Sequence, residues 1–394
     1  RLSATSLLGG GTMKNFISDF IRKGLVVTQF TAATILIASV LIMGDQINFI
    51  QNKDLGYSTN NVMAISVQEG KQDNNLNMLI DEFQALSNVE SVSLVQGFPS
   101  TKVSTRSLKK DYGDLEGTKI QTNKADSEII NVLELKLLAG TSLPKNKSES
   151  DSLVDIVLNK TAIQYLGYDT PKTAIGKKVD IQLGQNSYIR GVVEDFNFSS
   201  LHAPIGAYAF HNSLTDKQYY MLVKFSSNSL YKTIEEFGNK YNKTFPNKVF
   251  DYSFLDASLE SQYRSEKRTA LLSSIFSILA IAIASLGLFG LVAFVAEQRK
   301  KEFAIRKVLG ASVTGLVKLI TIDFMKLVVI SMVIGFPLAY LIMEKWLANF
   351  AYRVNIDLWI FIVTALVTIG IALITVTIKS FSAASNNPIE SINI

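Results

Sequence analysis

From Leu271 to Ala296 the chain runs through apolar residues without one charged side chain. Such a run is at home in a bilayer, where about 20 apolar residues span the hydrocarbon. Three more runs share the pattern. Leu25–Met43 carries only Thr28, Gln29, Thr31 and Thr34 as mild interruptions, Leu327–Met343 is broken by Pro337, and Trp359–Thr377 opens on an aromatic anchor. The stretch before the third run, Leu316–Lys326, looks amphipathic and holds Lys318, Asp323 and Lys326. Charges deep in a bilayer are costly, so these three are expected at the inner interface, where lysines can snorkel to water. The first run is longer than a signal h-region and lacks a small-x-small cleavage site, so it is read as a retained anchor.

The short flanks set the orientation. Lys14, Arg22 and Lys23 precede the first run; Arg299, Lys300, Lys301, Arg306, Lys307 and Lys318 lie between the second and third; Lys379 follows the fourth. The loop between the last two runs has only Lys345 and Arg353. Cytoplasmic flanks are enriched in Lys and Arg, so both termini are expected inside. The net charge of +5 is modest and concentrated at these flanks, which argues against nucleic acid as a partner. With no cysteine, the chain has no disulfide framework and no thiolate site.

The resulting plan is a cytoplasmic segment (1–24), a first span (25–43), an external domain with a stalk (45–267) and a second span (271–296). A cytoplasmic connection (297–315), a third span with its approach (316–343), a short external loop (344–358), a fourth span (359–377) and a cytoplasmic tail (378–394) follow. The fold class is therefore a four-helix membrane protein with an α/β (α+β) extracytoplasmic domain between its first two spans.

Within 45–267, alternation predicts strands at Val62–Val67, Val89–Val95, Val154–Leu158, Tyr219–Phe225 and Phe250–Leu255. Helical spacing marks Leu76–Leu86, Ile129–Leu138, Lys160–Leu166 and Tyr231–Tyr241. Val179–Leu183 and Ser187–Val193 read as a strand pair turning at Gly184-Gln185-Asn186, and Ser100–Asn123 as loop or short strands. From Ala257 a helical pattern runs unbroken into the second span. A stalk over Ala257–Ala270 would rise roughly 20 Å at 1.5 Å per residue.

Two segments invite a site. In Glu297–Ala311, Ile305, Val308 and Leu309 share one helical face, Glu302 and Arg306 form an i, i+4 pair, and Gly310 is a natural C-terminal cap. This pattern fits a basic loop at the inner interface as well as a short amphipathic helix that docks on a cytoplasmic protein; spacing alone does not choose. In Glu194-Asp195, with His202 and His211, carboxylates and imidazoles suggest a metal or acid–base site. Adjacent strand residues point to opposite faces, however, and a structural role is the stronger expectation. There is no G-x-x-x-x-G-K-[ST] loop, so the chain is not expected to hold ATP by a P-loop.

The connection Arg299, Glu302, Phe303, Ile305, Arg306, Leu309, Gly310 and Ala311 resembles the R-x-x-E-I-x-I-R-x-x-L-G-A signature of MacB/FtsX-family ABC permeases, with Phe303 in place of the usual Ile. Asn48–Tyr57, Gly191–Ile205 and Asn387-Pro388-Ile389-Glu390 resemble segments of Bacteroidetes-type members, many of which look like tandem duplications. The residues from Arg1 to Leu8 would then be the tail of a preceding similar unit. The resemblance implies a multi-pass permease of the bacterial inner membrane with a periplasmic domain, not itself an enzyme. ATP and Mg would be bound by a separate ABC ATPase subunit, contacted by Arg299, Glu302, Phe303, Ile305, Arg306, Leu309 and Gly310. It further implies a second permease unit, as tandem half or homodimer, and mechanotransmission to the periplasmic domain. The work driven would be efflux through a periplasmic adaptor and an outer-membrane channel, lipoprotein extraction, or regulation of a cell-wall hydrolase.

Overall fold

The computed structural model describes residues 5–67, 74–99, 101–110, 116–145, 153–183 and 186–385. Several expectations lie wholly or partly outside them: the stretch Ser100–Asn123, the turn at Gly184-Gln185-Asn186, the tail 378–394 with its ending at Asn387–Glu390, and the start at Arg1–Leu8. The chain divides into two compact units, Arg1–Ile50 with Ser265–Ile394, and Gln51–Arg264.

In chain order the elements begin with α1 (Thr5–Asn52), β1 (Val62–Ser66), α2 (Asn74–Gln84), β2 (Val89–Val95), β3 (Ser104–Leu108), β4 (Thr118–Lys124), α3 (Ile129–Val132) and β5 (Leu137–Gly140). They continue with β6 (Leu153–Asn159), α4 (Lys160–Tyr165), α5 (Pro171–Ala174), β7 (Lys178–Val179), β8 (Asn186–Val193), β9 (Ala207–His211) and β10 (Tyr220–Phe225). The last are α6 (Leu230–Thr244), β11 (Tyr252–Phe254), α7 (Leu255–Gln262), α8 (Arg264–Gln298), α9 (Lys300–Val308), α10 (Val313–Leu347) and α11 (Leu358–Ser385).

The inserted α/β unit stacks two sheets between helices. The first sheet has the order β11-β1-β10-β2, all neighbours antiparallel. Two β-α-β units, β1-α2-β2 and β10-α6-β11, generate it, the split βαβ pattern. Alternation sorts its residues. Met63, Ile65, Met221, Val223 and Phe225 face α2 and α6, where Phe83 and Phe237 pack 4.8 Å apart. Val62, Ala64 and Leu222 face a second cluster shared with the other sheet. That mixed sheet, order β3-β4-β9-β6-β8-β5 with β7 on β8, arises entirely between β2 and β10. One of its faces gives Val157, Val193, Tyr208 and Phe210 to the shared cluster; Val154, Ile156, Leu158 and Ile189 pack on the other side with Ala162, Ile163 and Ala174 of α4 and α5.

Among the described residues, four helices are long and apolar enough to cross a membrane: Phe20–Asn52 of α1, α8, α10 and Leu358–Ser382 of α11. Small and polar residues let them approach, as in membrane bundles generally. A Cβ at Gly287 would stand 2.3 Å from Gln29 Oε1, so the Gln29 amide fills the space that this glycine leaves on α8. Thr31 Oγ1 donates to the Ser331 carbonyl at 3.3 Å. The buried stripe of α11 recurs every fourth residue through Ile360, Thr364, Thr368, Ala372 and Val376. Arg22 lies 4.0 Å over Phe294, and Lys379 4.6 Å over Phe289. These contacts put the start of α1 and the ends of α8 and α11 at one basic end of the bundle. At the other end the buried Gln46 amide donates to the Tyr352 carbonyl and accepts the Val354 N–H, both at 2.9 Å, pinning α1 to the α10–α11 loop.

Several expectations change. The helices extend beyond their apolar runs. The stalk is not continuous: α7 stops at Gln262, and Tyr263, at φ −104° and ψ 17°, separates it from α8. Ile129–Leu138 is a single turn, α3, followed by a strand, because Glu134 takes φ 51° and ends the helical path. β9 was not expected at all, and the connection between the second and third spans holds a helix of only nine residues.

Candidate functional site

α9 sits between the second and third spans with one residue, Arg299, between it and α8. Its C-terminal end is closed tightly. Gly310 takes φ +92°, its N–H reaches the Lys307 carbonyl at 3.1 Å, and the Ala311 N–H reaches the Arg306 carbonyl at 2.9 Å. These two bonds are the Schellman pair, which requires a left-handed residue at Gly310. Ser312 then caps α10, its Oγ accepting the Gly315 N–H at 3.2 Å.

The two faces of α9 differ sharply. Phe303 and Ala304 are buried, Phe303 in a cluster with Leu291, Val292, Leu316, Ile320 and Phe324. Ile305, Val308 and Leu309 are 57%, 69% and 80% exposed, so an apolar strip faces away from the bundle. Glu302 and Arg306 flank it, paired at 2.7 Å. The Arg299 guanidinium reaches Asp323 of α10 at 3.6 Å, and Lys300 pairs with Glu297 at 3.3 Å. Of the seven expected contact residues, Ile305, Leu309, Glu302 and Arg306 thus share an accessible surface. Gly310 shapes its end, Phe303 points inward, and Arg299 turns to its own chain. Sequence reasoning noted Asp323 as an interface charge but did not join it to Arg299. Its signal was a lone acid between the two lysines of the amphipathic approach to the third span.

The second candidate segment serves the fold. Asp195 Oδ1 accepts from Asn159 Nδ2 at 2.9 Å and the Thr161 N–H at 2.8 Å, and Oδ2 accepts from Thr161 Oγ1 at 2.9 Å. Its neighbours Phe196 and Phe198 enter an aromatic cluster with Tyr57, Tyr208 and Phe210. The segment meets the one after the first span: the Asn197 N–H donates to the Leu55 carbonyl at 2.8 Å, and a Cβ at Gly56 (φ +80°) would stand 2.6 Å from the Asp195 carbonyl oxygen. His202 Nδ1 lies 2.7 Å from Ser200 Oγ. His211 lies apart from both. Its Nδ1 accepts the Ser213 N–H at 3.2 Å, which leaves the proton on Nε2, 3.3 Å from Asp216 Oδ2. Arg106 grips the same carboxylate with two bonds of 2.8 Å. The His211 side chain and the Arg106 guanidinium hold Asp216 well below the usual carboxylate range, against the opposing effect of burial. Burial pushes His211 down, more strongly than Asp216 draws it up. Among the described residues no group of three or more His, Cys, Asp or Glu is placed to hold a metal ion.

Residues 274–388 match the family described as FtsX-like permease C-terminal. No curated protein matches the chain. Among solved structures, the periplasmic region of MacB from Actinobacillus actinomycetemcomitans is similar at 15% identity and a TM-score of 0.38, over 54% of this chain and 98% of that one. The extracellular domain of the noncanonic ABC-type transporter YknZ from Gram-positive bacteria is similar at 17% identity and TM-score 0.33, over 49% and 98%. A domain of a putative permease protein from Porphyromonas gingivalis is similar at 15% identity and TM-score 0.33, over 49% and 88%.

Proposed function

We propose, from the FtsX-like match over residues 274–388 and the four helices long and apolar enough to cross a membrane, that this chain is a multi-pass permease that couples a separate ABC ATPase to movement of its inserted α/β domain. The observation that carries the reading is the outward apolar strip of α9, Ile305, Val308 and Leu309, on a helix whose opposite face is anchored by Phe303. A short helix with three large apolar side chains in water is costly to maintain unless a partner covers it. A groove on the ATPase would read it as an amphipathic helix through i, i+3, i+4 anchors. Glu302 and Arg306 give the rim a fixed charge pattern that orients the docking.

The direction of the chain supports the same reading. The basic residues cluster at the end of the bundle that bears α9, which favours that end as cytoplasmic. The domain inserted in the chain between α1 and α8 would then be extracytoplasmic. ATP binding in the partner would displace α9, and α8 would carry the movement outward; efflux of a periplasmic substrate is the work we assign to it, together with a second permease unit.

The test is co-purification of the full-length chain with its cognate ABC ATPase, comparing wild type with Ile305→Asp/Leu309→Asp. Both positions are exposed, so the variant is expected to fold, keep its thermal midpoint and lose the ATPase. Undiminished binding would remove α9 as the docking element.

A further inference from the structure

Arg299 stands where the chain turns from α8 into α9. Its N–H still reaches the Val295 carbonyl at 3.0 Å, and its own carbonyl accepts from Phe303 at 3.0 Å, so the helical ladder bends here without breaking. The other corner, at Gly310, is closed by the Schellman bonds and the Ser312 cap. The bend at Arg299 has no such backbone closure, and its side chain crosses instead to Asp323 on α10. Asp323 divides its carboxylate: Oδ2 faces Arg299 at 3.6 Å, while Oδ1 faces Lys326, three residues on in the same helix, at 3.4 Å.

The arrangement is asymmetric in a useful way. The Lys326 pair lies within α10 and survives any movement of α9. The Arg299 pair links two elements and is the one that such a movement breaks. When it breaks, Asp323 is still left with a cation, so no carboxylate is stranded near the bilayer, where an unpaired charge is expensive. An acid at the approach to a span with a partner on each oxygen is built to hold one arrangement and release it cheaply.

We infer that Arg299 and Asp323 are a positioning pair, a latch that sets the angle of α9 against α10, and that Arg299 is not a contact to the ATPase. The inference rests on the coupling reading of α9 and adds which residues fix the pose of that surface. Both side chains are more than a third exposed, so the pair is a modest bias between two poses, suited to a moving part.

A double-mutant cycle in the full-length permease with its cognate ATPase tests this. Arg299→Gln and Asp323→Asn should each still co-purify with the ATPase. Each should reduce the permease-dependent change in ATPase rate about two- to fivefold, the factor that a partly exposed pair is worth. The double variant should be no worse than either single one, because both remove the same bond. Lys326→Gln should leave the regulation near wild type. The latch is refuted if the single variants regulate normally, if their losses add in the double variant, or if Arg299→Gln alone abolishes association. Failure of the reading beneath it would show differently, as a wild type that binds no ATPase, and would take the latch with it.

Discussion

Leu309→Ala isolates docking from folding. Leu309 is 80% exposed and touches little of its own chain, so its loss leaves the free permease intact. Burying a leucine side chain completely is worth about 1.5–3 kcal/mol relative to leaving it in water. Four-fifths of that surface is still available to a partner, and alanine retains a small part of it. The expected loss on docking is therefore about 1–2 kcal/mol, or roughly 5- to 30-fold in Kd. Titration of the ATPase subunit into detergent-solubilised permease gives the Kd, and thermal unfolding of the permease alone gives the control. Phe303→Ala should show the reverse signature. Phe303 is 6% exposed within a packed cluster, and deleting a core phenylalanine costs about 3–5 kcal/mol of stability. Its thermal midpoint should fall, with affinity lost only as the fold is lost. If Leu309→Ala shifts Kd by less than about twofold while wild type binds, or if it unfolds the protein as Phe303→Ala does, the outward strip is not the docking surface.

Three further outcomes follow from other sites. Gly310→Ala, placed at φ +92° with open space around its Cβ position, should cost about 1–2 kcal/mol through backbone strain alone, read as a lower thermal midpoint and weakened ATPase regulation. Gln46→Leu should strand the Tyr352 carbonyl and the Val354 N–H, at about 1–3 kcal/mol for each unsatisfied group, and limited proteolysis should then cut faster near Arg353. Acid should weaken the inserted domain in two stages. Because His211 is held down by burial, the unfolded chain takes up its proton first, so stability drops as pH falls through about 6.5. Because Asp216 is also held down, its contribution is present above about pH 4 and is lost as pH falls further. Thermal midpoints of full-length wild type and His211→Asn between pH 7 and 5 check the first stage, and equal slopes would refute it.

What could be read from the sequence, and what could not, divides along the range of the forces involved. The spans were legible because hydrocarbon tolerates no charge, which writes itself into a long local run. The helical run of Arg264–Ala270 into the second span was legible too, from its unbroken helical pattern, and α8 bears it out. The break at Tyr263 has no local cause in sequence. Its hydroxyl accepts the Leu201 N–H at 2.8 Å and its ring stacks 6.0 Å from His202, and these tertiary contacts hold the residue off the helical path. β9 escaped for the opposite reason. All five of its residues are buried, so it has no alternation to betray a strand covered on both faces.

The same distinction runs through the site. Helical spacing correctly grouped Ile305, Val308 and Leu309, because neighbours at three and four positions share a face whatever lies around them. It could not say whether that face points inward or outward. Phe303 and Ile305 are two residues apart, both large and apolar, and are sent to opposite fates: one into the bundle, the other toward solvent. A signature that treats them alike merges an anchor with a contact. Arg299 and Glu302 are likewise both charged residues of one motif, yet one closes on α10 and the other on its own helix. On the proposed coupling, the motif would therefore combine a surface that meets a partner with the hinge that aims it. Substitutions that separate affinity from regulation are the way to tell the two apart.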